Sequence, residues 1–273
     1  MFKTSMAISP TAAKFAPLLF AGDWQTGLRT ARELGYDAVE LSLRDPQAQV
    51  VKDLDSAIVG FGLTVSAIAT GQSYYSDGLS PTSKDPSVQA ELLERMRGFI
   101  ELAAPYGASV IIGGIRGTLQ GDEQDRSEQR RRAVEAIRRY ARCAEPAGVS
   151  FLVEPINRYE TNFVNTVLEA LALIDEVGAA NLLVLADTFH MNIEEASMPG
   201  ALEAAGERLG YVHLPDSNRL AAGAGHIDFH GLVAVLQGIG YDGYLGAEIL
   251  PLPNSTTAAG LAIGLFRSLQ HEH

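Results

Sequence analysis

A chain of 273 residues, 47% of them hydrophobic, has room for one large α/β domain, since a barrel of eight strand–helix units runs to about 250 residues. Its formal net charge of −12 argues against nonspecific nucleic-acid binding, which draws on a positive surface. No apolar stretch approaches the ~20 residues of a membrane span, and the single cysteine, Cys143, excludes an internal disulfide or a cysteine zinc cluster.

The first nine residues, Met1 to Ser9, read as a strand and lack the basic, apolar and small-residue order of a signal peptide. A cytoplasmic location is the expectation. Further strand-like runs fall at 38–41, 63–68, 109–113, 150–154, 182–187, 211–214 and 244–248, after a first at 3–8. Helical patterns lie between them at 23–34, 54–61, 86–106, 127–146, 166–177, 200–209 and 231–240, and a last one at 257–270 closes the chain. Gly35, Gly62, Gly107, Gly148 and Gly240 stand where a helix gives way to a strand, as a left-handed cap requires. Strict alternation without a Pro- or Gly-rich linker predicts a single (β/α)8 TIM barrel over residues 1–273. A doubly wound open sheet is the competing architecture.

The helix around 127–146 carries Arg130, Arg131, Arg132, Arg138, Arg139 and Arg142, interleaved with Glu128, Glu135 and Glu145. A solvated face with internal ion pairs accounts for that pattern, with a subunit contact as the alternative. Cys143 lies in the same helix and reads as a buried, inert thiol. Two loops stand out, Gly71 to Ser80 after the third strand and Gly113-Gly114-Ile115-Arg116-Gly117 after the fourth. The first is polar and aromatic, includes Gln72, and suits a substrate cover.

Glu154, Asp187, His213 and Glu248 are separated by 33, 26 and 35 residues, each at the end of an apolar run. That spacing is one strand, one helix and two loops, so a parallel barrel brings all four to one face. Three carboxylates and one imidazole form an oxygen-rich site for one divalent ion, Mn²⁺ first, with Mg²⁺ or Co²⁺ as alternatives. Glu154 and Glu248 end strands on opposite sides of that site. Placed across a hydroxyketone, one takes a proton beside the carbonyl and the other returns one to the opposite face, which inverts the carbon. Both serving only as ligands is the plainer alternative. His190, Arg219 and Glu160 supply polar groups for sugar oxygens; a mutual Glu160–Arg219 loop salt bridge is the competing role. His226 and His230 read as loop structure or helix capping.

At these residues the chain resembles the xylose-isomerase-like barrels, specifically their ketose 3-epimerases of the tagatose and allulose group. The matching segments are Glu154-Pro155-Ile156-Asn157-Arg158-Tyr159-Glu160, Asp187-Thr188-Phe189-His190-Met191-Asn192-Ile193-Glu194-Glu195 and His213-Leu214-Pro215-Asp216-Ser217-Asn218-Arg219, with Gly240-Tyr241-Asp242-Gly243 leading to Glu248. The resemblance spans essentially the whole chain. It implies metal ligation by Glu154, Asp187, His213 and Glu248, with Glu154 and Glu248 as the acid/base pair. It also implies substrate contacts from Glu160, His190 and Arg219, and a homodimer or homotetramer.

Tagatose-type epimerases carry aromatic residues after the fourth strand. Here the loops at 70–80 and 111–117 look more like the 5-keto-L-gluconate epimerase branch, which interconverts 5-keto-L-gluconate and D-tagaturonate. Arg116 at the pocket rim would then pair with the substrate carboxylate. The expected partner is a small keto-sugar or keto-sugar acid. An aldose–ketose or hydroxypyruvate isomerase would use the same chemistry with a different proton destination. A metal-containing sugar-binding protein is the non-catalytic alternative, and an endonuclease-like barrel is disfavoured by the acidic charge.

Overall fold

The computed structural model describes residues 2–12 and 17–271. Eight strands, β1 (Lys3–Ile8), β2 (Ala38–Ser42), β3 (Thr64–Ala69), β4 (Ser109–Ile112), β5 (Phe151–Val153), β6 (Leu182–Asp187), β7 (Leu209–His213) and β8 (Tyr244–Ala247), are parallel and close in sequence order. The barrel shuts where β1 pairs with β8, Lys3 opposite Tyr244 and Met6 opposite Ala247. Most strand positions are buried, as expected when side chains on one sheet face fill the barrel and those on the other pack under helices. Ala67, Ile111, Leu152, Leu185 and Tyr211 form the separate inner cluster, and their strand neighbours join the larger core between sheet and helices.

The helices among the described residues are α1 (Trp24–Leu34), α2 (Gln49–Gly60), α3 (Gly71–Asp77), α4 (Pro86–Ala103), α5 (Glu123–Ala144), α6 (Val167–Val177), α7 (Thr188–Glu194), α8 (Met198–Ala205), α9 (Phe229–Gly238) and α10 (Ser255–His271). Their starts follow local chemistry. Asp122 with Asp125, and Thr166 with Glu169, form reciprocal capping boxes on α5 and α6. Asp85 caps α4 ahead of Pro86 at its first turn. The five glycines expected to end helices all have positive φ, between 61° at Gly107 and 74° at Gly35.

The structure departs from the expected pattern at several points. The segment after β3 is not an open loop but the short helix α3, and Asp187 starts a further short helix, α7. Cys143 is half-buried at the edge of the core. In α5, Arg131–Glu135 and Arg132–Glu128 are internal pairs at 2.8 and 3.7 Å. Arg130 instead pairs with Glu176 of α6, and Arg138 donates to the carbonyls of Glu176 and Val177. Those carbonyls end α6, where a cation offsets the helix dipole, so the Arg-rich face also packs two helices together. No described helix is long and apolar enough to cross a membrane.

Candidate active site

The C-terminal ends of the strands open into a cavity of about 500 Å³ whose lining includes Gln72, Glu154, Glu160, His190, Arg219 and Glu248. Barrel register sets the floor: Asp187 lies opposite His213, and His213 opposite Gly246. Glu154 and Glu248 each stand one residue beyond a strand. One oxygen or nitrogen from each of Glu154, Asp187, His213 and Glu248 converges within 4.8 Å of the others.

How each donor is aimed follows from its neighbours. Asp187 caps α7: its Oδ1 accepts from the backbone N–H of Phe189 at 2.8 Å and of His190 at 3.2 Å. Oδ2 is left without a hydrogen-bond partner and faces His213 Nδ1 at 3.5 Å. His213 Nδ1 is likewise unpartnered, 3.8 Å from Glu154 and 3.9 Å from Glu248. Its Nε2 is held at 2.7 Å by Glu40 of β2. Gly113 makes room for Glu154, because a Cβ there would fall 2.1 Å from the carboxylate Oε2.

Buried, unpaired, convergent atoms of this kind could hold a cation. Three carboxylate oxygens and one imidazole nitrogen fit a divalent cation of the Mn²⁺ or Mg²⁺ type. The charge balance says the same. Burial, then the neighbouring Glu248, pushes Glu154 well above the usual carboxylate range. Burial raises Glu248 to about 7. For His213 burial works the other way but is outweighed by Glu40 and Asp187, so its pKa is raised. Asp187 is held at about 2 despite burial, by His190, His213 and Arg219.

A second layer of polar groups sits above. His190 Nδ1 lies 2.8 Å from Asn157 Nδ2 and 3.4 Å from the Asn157 backbone N–H. The Asn157 amide is oriented by Glu160, to which Nδ2 donates at 3.0 Å, and by the Tyr159 N–H, which Oδ1 accepts. Nδ1 of His190 is therefore the acceptor, and Nε2–H points into the site. Burial lowers the His190 pKa. Arg219 Nη2, itself a donor, lies 3.5 Å from that Nε2, so two donors stand side by side in the cavity lining.

Arg219 also reaches Glu160 at 3.2 Å and Glu248 at 3.4 Å, over the face of Phe189 at 4.8 Å. The Glu160–Arg219 ion pair is thus present, inside the cavity lining. Arg219 is held at φ 61°, an uncommon conformation for a side chain of its size. The loop is braced by Asp216, which is fully buried and accepts from Ser217, Gly223 and Ile227. Gln72 on α3 bridges Ser9, Thr11 and Ser42 and closes the opposite wall.

Arg116 is not at the rim. It is 1% exposed, and its guanidinium donates to the carbonyls of Ile112, Glu154, Phe163 and Val164. Burial lowers its pKa to about 10. The side chain stitches the β4 end to the loop after β5 and, buried outside the cavity lining, does not face a substrate carboxylate. Arg116→Met is expected to cost on the order of 4 kcal/mol by stranding buried carbonyls, measured as a fall in urea midpoint.

Glu40 and Asn157 escaped the sequence reading. A lone glutamate in the run Ala38-Val39-Glu40-Leu41 was the available signal, because a charge inside a buried strand needs a partner.

A closed parallel barrel with acidic and imidazole donors gathered at its C-terminal face has the plan of a barrel enzyme for small oxygenated molecules. Residues 28–269 match the xylose isomerase-like TIM barrels, and the chain belongs to that family. It is 34% identical over 264 residues to an L-ribulose 3-epimerase of Methylomonas sp. (strain DH-1), covering 93% of this chain and 90% of the relative. A ketose 3-epimerase of Arthrobacter globiformis is 34% identical over 245 residues, 89% of this chain and 83% of its own. The crystal structure of a D-allulose 3-epimerase from Methylomonas sp. in complex with D-allulose superposes with a TM-score of 0.78 at 29% identity, over 98% of both chains.

Proposed function

We propose that this protein is a divalent-metal-dependent epimerase that inverts the carbon beside the carbonyl of a free ketose. The observation that carries the reading is the pair Glu154 and Glu248, brought from β5 and β8 to one four-donor cluster in one cavity. Glu154, Asp187, His213 and Glu248 would hold the ion, Mn²⁺ being the first candidate. When bound, it draws electron density from the substrate carbonyl and so acidifies the neighbouring C–H.

The protein's own groups do the rest. One glutamate takes the proton from one face of the substrate, and the other delivers a proton to the opposite face of the enediolate. A carboxylate takes a proton and, once protonated, gives one back, so the same residue type serves both roles. His190 Nε2–H and Arg219 Nη2 donate to an oxygen next to the reacting carbon. Arg219, over Phe189, also neutralises part of the charge on Glu248. Leu18, Ile111 and Ile156 give the cavity an apolar wall.

A neutral ketose is favoured over a keto-sugar acid. The guanidinium that argued for an acid, Arg116, is committed to backbone carbonyls, and the relatives named above act on neutral ketoses. The test is incubation in D₂O with Mn²⁺ and either D-fructose or D-tagaturonate, followed by proton NMR after metal removal. Deuterium at carbon three of D-fructose with D-allulose as product is expected, with slower turnover of the acid. Label at carbon one with an aldose product would make it an isomerase. Saturable sugar binding without carbon exchange would make it a binding protein.

The helix over the cavity is anchored from outside. Asp77, the last residue of α3, is gripped by Arg44 and Arg95, and Arg95 also reaches Glu91 at 3.0 Å. Asp77→Asn is expected to loosen α3, with its Gln72 and Tyr75. KM for the ketose should rise roughly threefold to tenfold with a smaller change in kcat, and added salt should mimic the effect on wild type. Steady-state kinetics across salt concentrations checks this.

A further inference from the structure

We infer that Glu40 is a positioning residue for the metal centre: it grips His213 by Nε2 so that Nδ1, and not a ring carbon, faces Glu154, Asp187 and Glu248. The inference rests on the metal reading of the cluster. Glu40 lies within β2, 1% exposed, between the buried apolar Val39 and Leu41. Its Oε2 is 2.7 Å from His213 Nε2, and its Oε1 has no hydrogen-bond partner. An imidazole turned over about its Cβ–Cγ bond would put Cδ2 where Nδ1 now stands, with nearly the same shape. Packing does not separate those two states. Tyr211 meets the ring edge-on at 5.3 Å, and Gly246 only clears space beside Cδ2.

The Glu40 contact does separate them. With Nε2–H donated to Glu40, Nδ1 is the ring atom presented to the cluster, where it lies 3.5 Å from Asp187 and has no hydrogen-bond partner. A purely structural role explains the site poorly. A carboxylate buried with one partner opposes folding, and an apolar residue would fill the same place in the strand. A carboxylate behind a ligating imidazole fixes the ring's orientation and tautomer and raises its basicity.

The test compares wild type, Glu40→Leu and Glu40→Gln. Leucine keeps the volume and removes the acceptor; glutamine keeps a neutral acceptor for Nε2–H. Mn²⁺ affinity is measured by titration calorimetry and melting temperature without metal by calorimetry. Histidine ¹⁵N NMR of the Mg²⁺-loaded proteins reports which ring nitrogen carries the proton. Leucine is expected to weaken Mn²⁺ binding roughly tenfold to hundredfold and to lose the single Nε2–H signature, a loss of affinity beyond any change in metal-free melting temperature. Glutamine should restore most of the affinity and the signature.

Equal Mn²⁺ affinity in wild type and the leucine variant, with a lower metal-free melting temperature, would assign Glu40 to stability alone. Equal losses for leucine and glutamine would make its charge, not its grip on the ring, the operative property, and overturn the positioning role. If wild type itself binds neither Mn²⁺ nor Mg²⁺, the metal reading fails first, an outcome distinct from both.

Discussion

Glu248→Gln and Glu154→Gln are each expected to lower kcat for epimerisation by roughly 10³-fold or more at saturating Mn²⁺, the scale of losing a positioned acid or base. Glutamine keeps the size and an oxygen ligand but cannot take a proton. The two losses should differ in kind. If the glutamates serve opposite faces, each variant keeps the base for one epimer only. Glu154→Gln would then exchange the proton of one epimer with D₂O without inverting it, and Glu248→Gln would do so for the other. NMR of both epimers in D₂O with each variant checks this. Exchange of the same epimer by both variants would refute a two-face mechanism. Arg219, 3.4 Å from Glu248, sharpens the contrast, because Glu248→Gln would leave that guanidinium facing a neutral amide.

Removal of the metal should make the protein sensitive to pH in an unusual direction. Glu248 is raised to about 7 from an ordinary 4.5, Glu154 is raised well above it, and His213 well above its ordinary 6.5. All three bind protons more tightly folded than unfolded. Their contribution is complete below the unfolded values and is lost as pH rises through the folded ones. For Glu248 alone the window runs from about 4.5 to 7 and the loss is on the order of 3 kcal/mol. Asp187, held at about 2, contributes in the opposite sense only below pH 4, outside that window.

The chelator-treated protein is therefore expected to melt lower at pH 8 than at pH 5. Mn²⁺ competes with protons for the same atoms, so its stabilisation should grow with pH. At a hundredfold excess over its dissociation constant it adds roughly 2.7 kcal/mol, or about 5 to 10 °C in a chain of this size. Melting curves at both pH values, with and without Mn²⁺, decide it. A chelated protein that is equally stable at pH 5 and 8 would mean that the three groups are not strained by one another.

Much of the barrel was legible because it is written in local signals. β1 and β6 match the sequence reading residue for residue, and every glycine expected to turn a helix back toward a strand does so. Helix edges were less legible: α2 begins at Gln49 rather than Leu54, with no side-chain cap to mark its start, and α5 begins at Glu123 behind its Asp122–Asp125 capping box. The helix α3 was hidden because Gly71-Gln72-Ser73-Tyr74-Tyr75-Ser76-Asp77 has weak helix propensity and no apolar stripe. It is held instead by Arg44 and Arg95 at its end.

The site divides in the same way. Glu154, Asp187, His213 and Glu248 were visible as acids and an imidazole at recurring strand ends, since strand-plus-helix spacing in a parallel barrel fixes which residues converge. Arg116 shows the limit of that logic. A guanidinium among glycines after a strand looks the same in sequence whether it points to the cavity or into the wall. Only the close approach of the Ile112, Glu154, Phe163 and Val164 carbonyls turned it inward. Glu40 shows the converse, a contact across 173 positions that no local pattern announces. Sequence by itself determined the order of elements and which four side chains gather at the strand ends, because hydrophobic period, caps and strand ends are local. Tertiary structure alone decided where each polar side chain spends its hydrogen bonds, because those partners lie on other strands and loops.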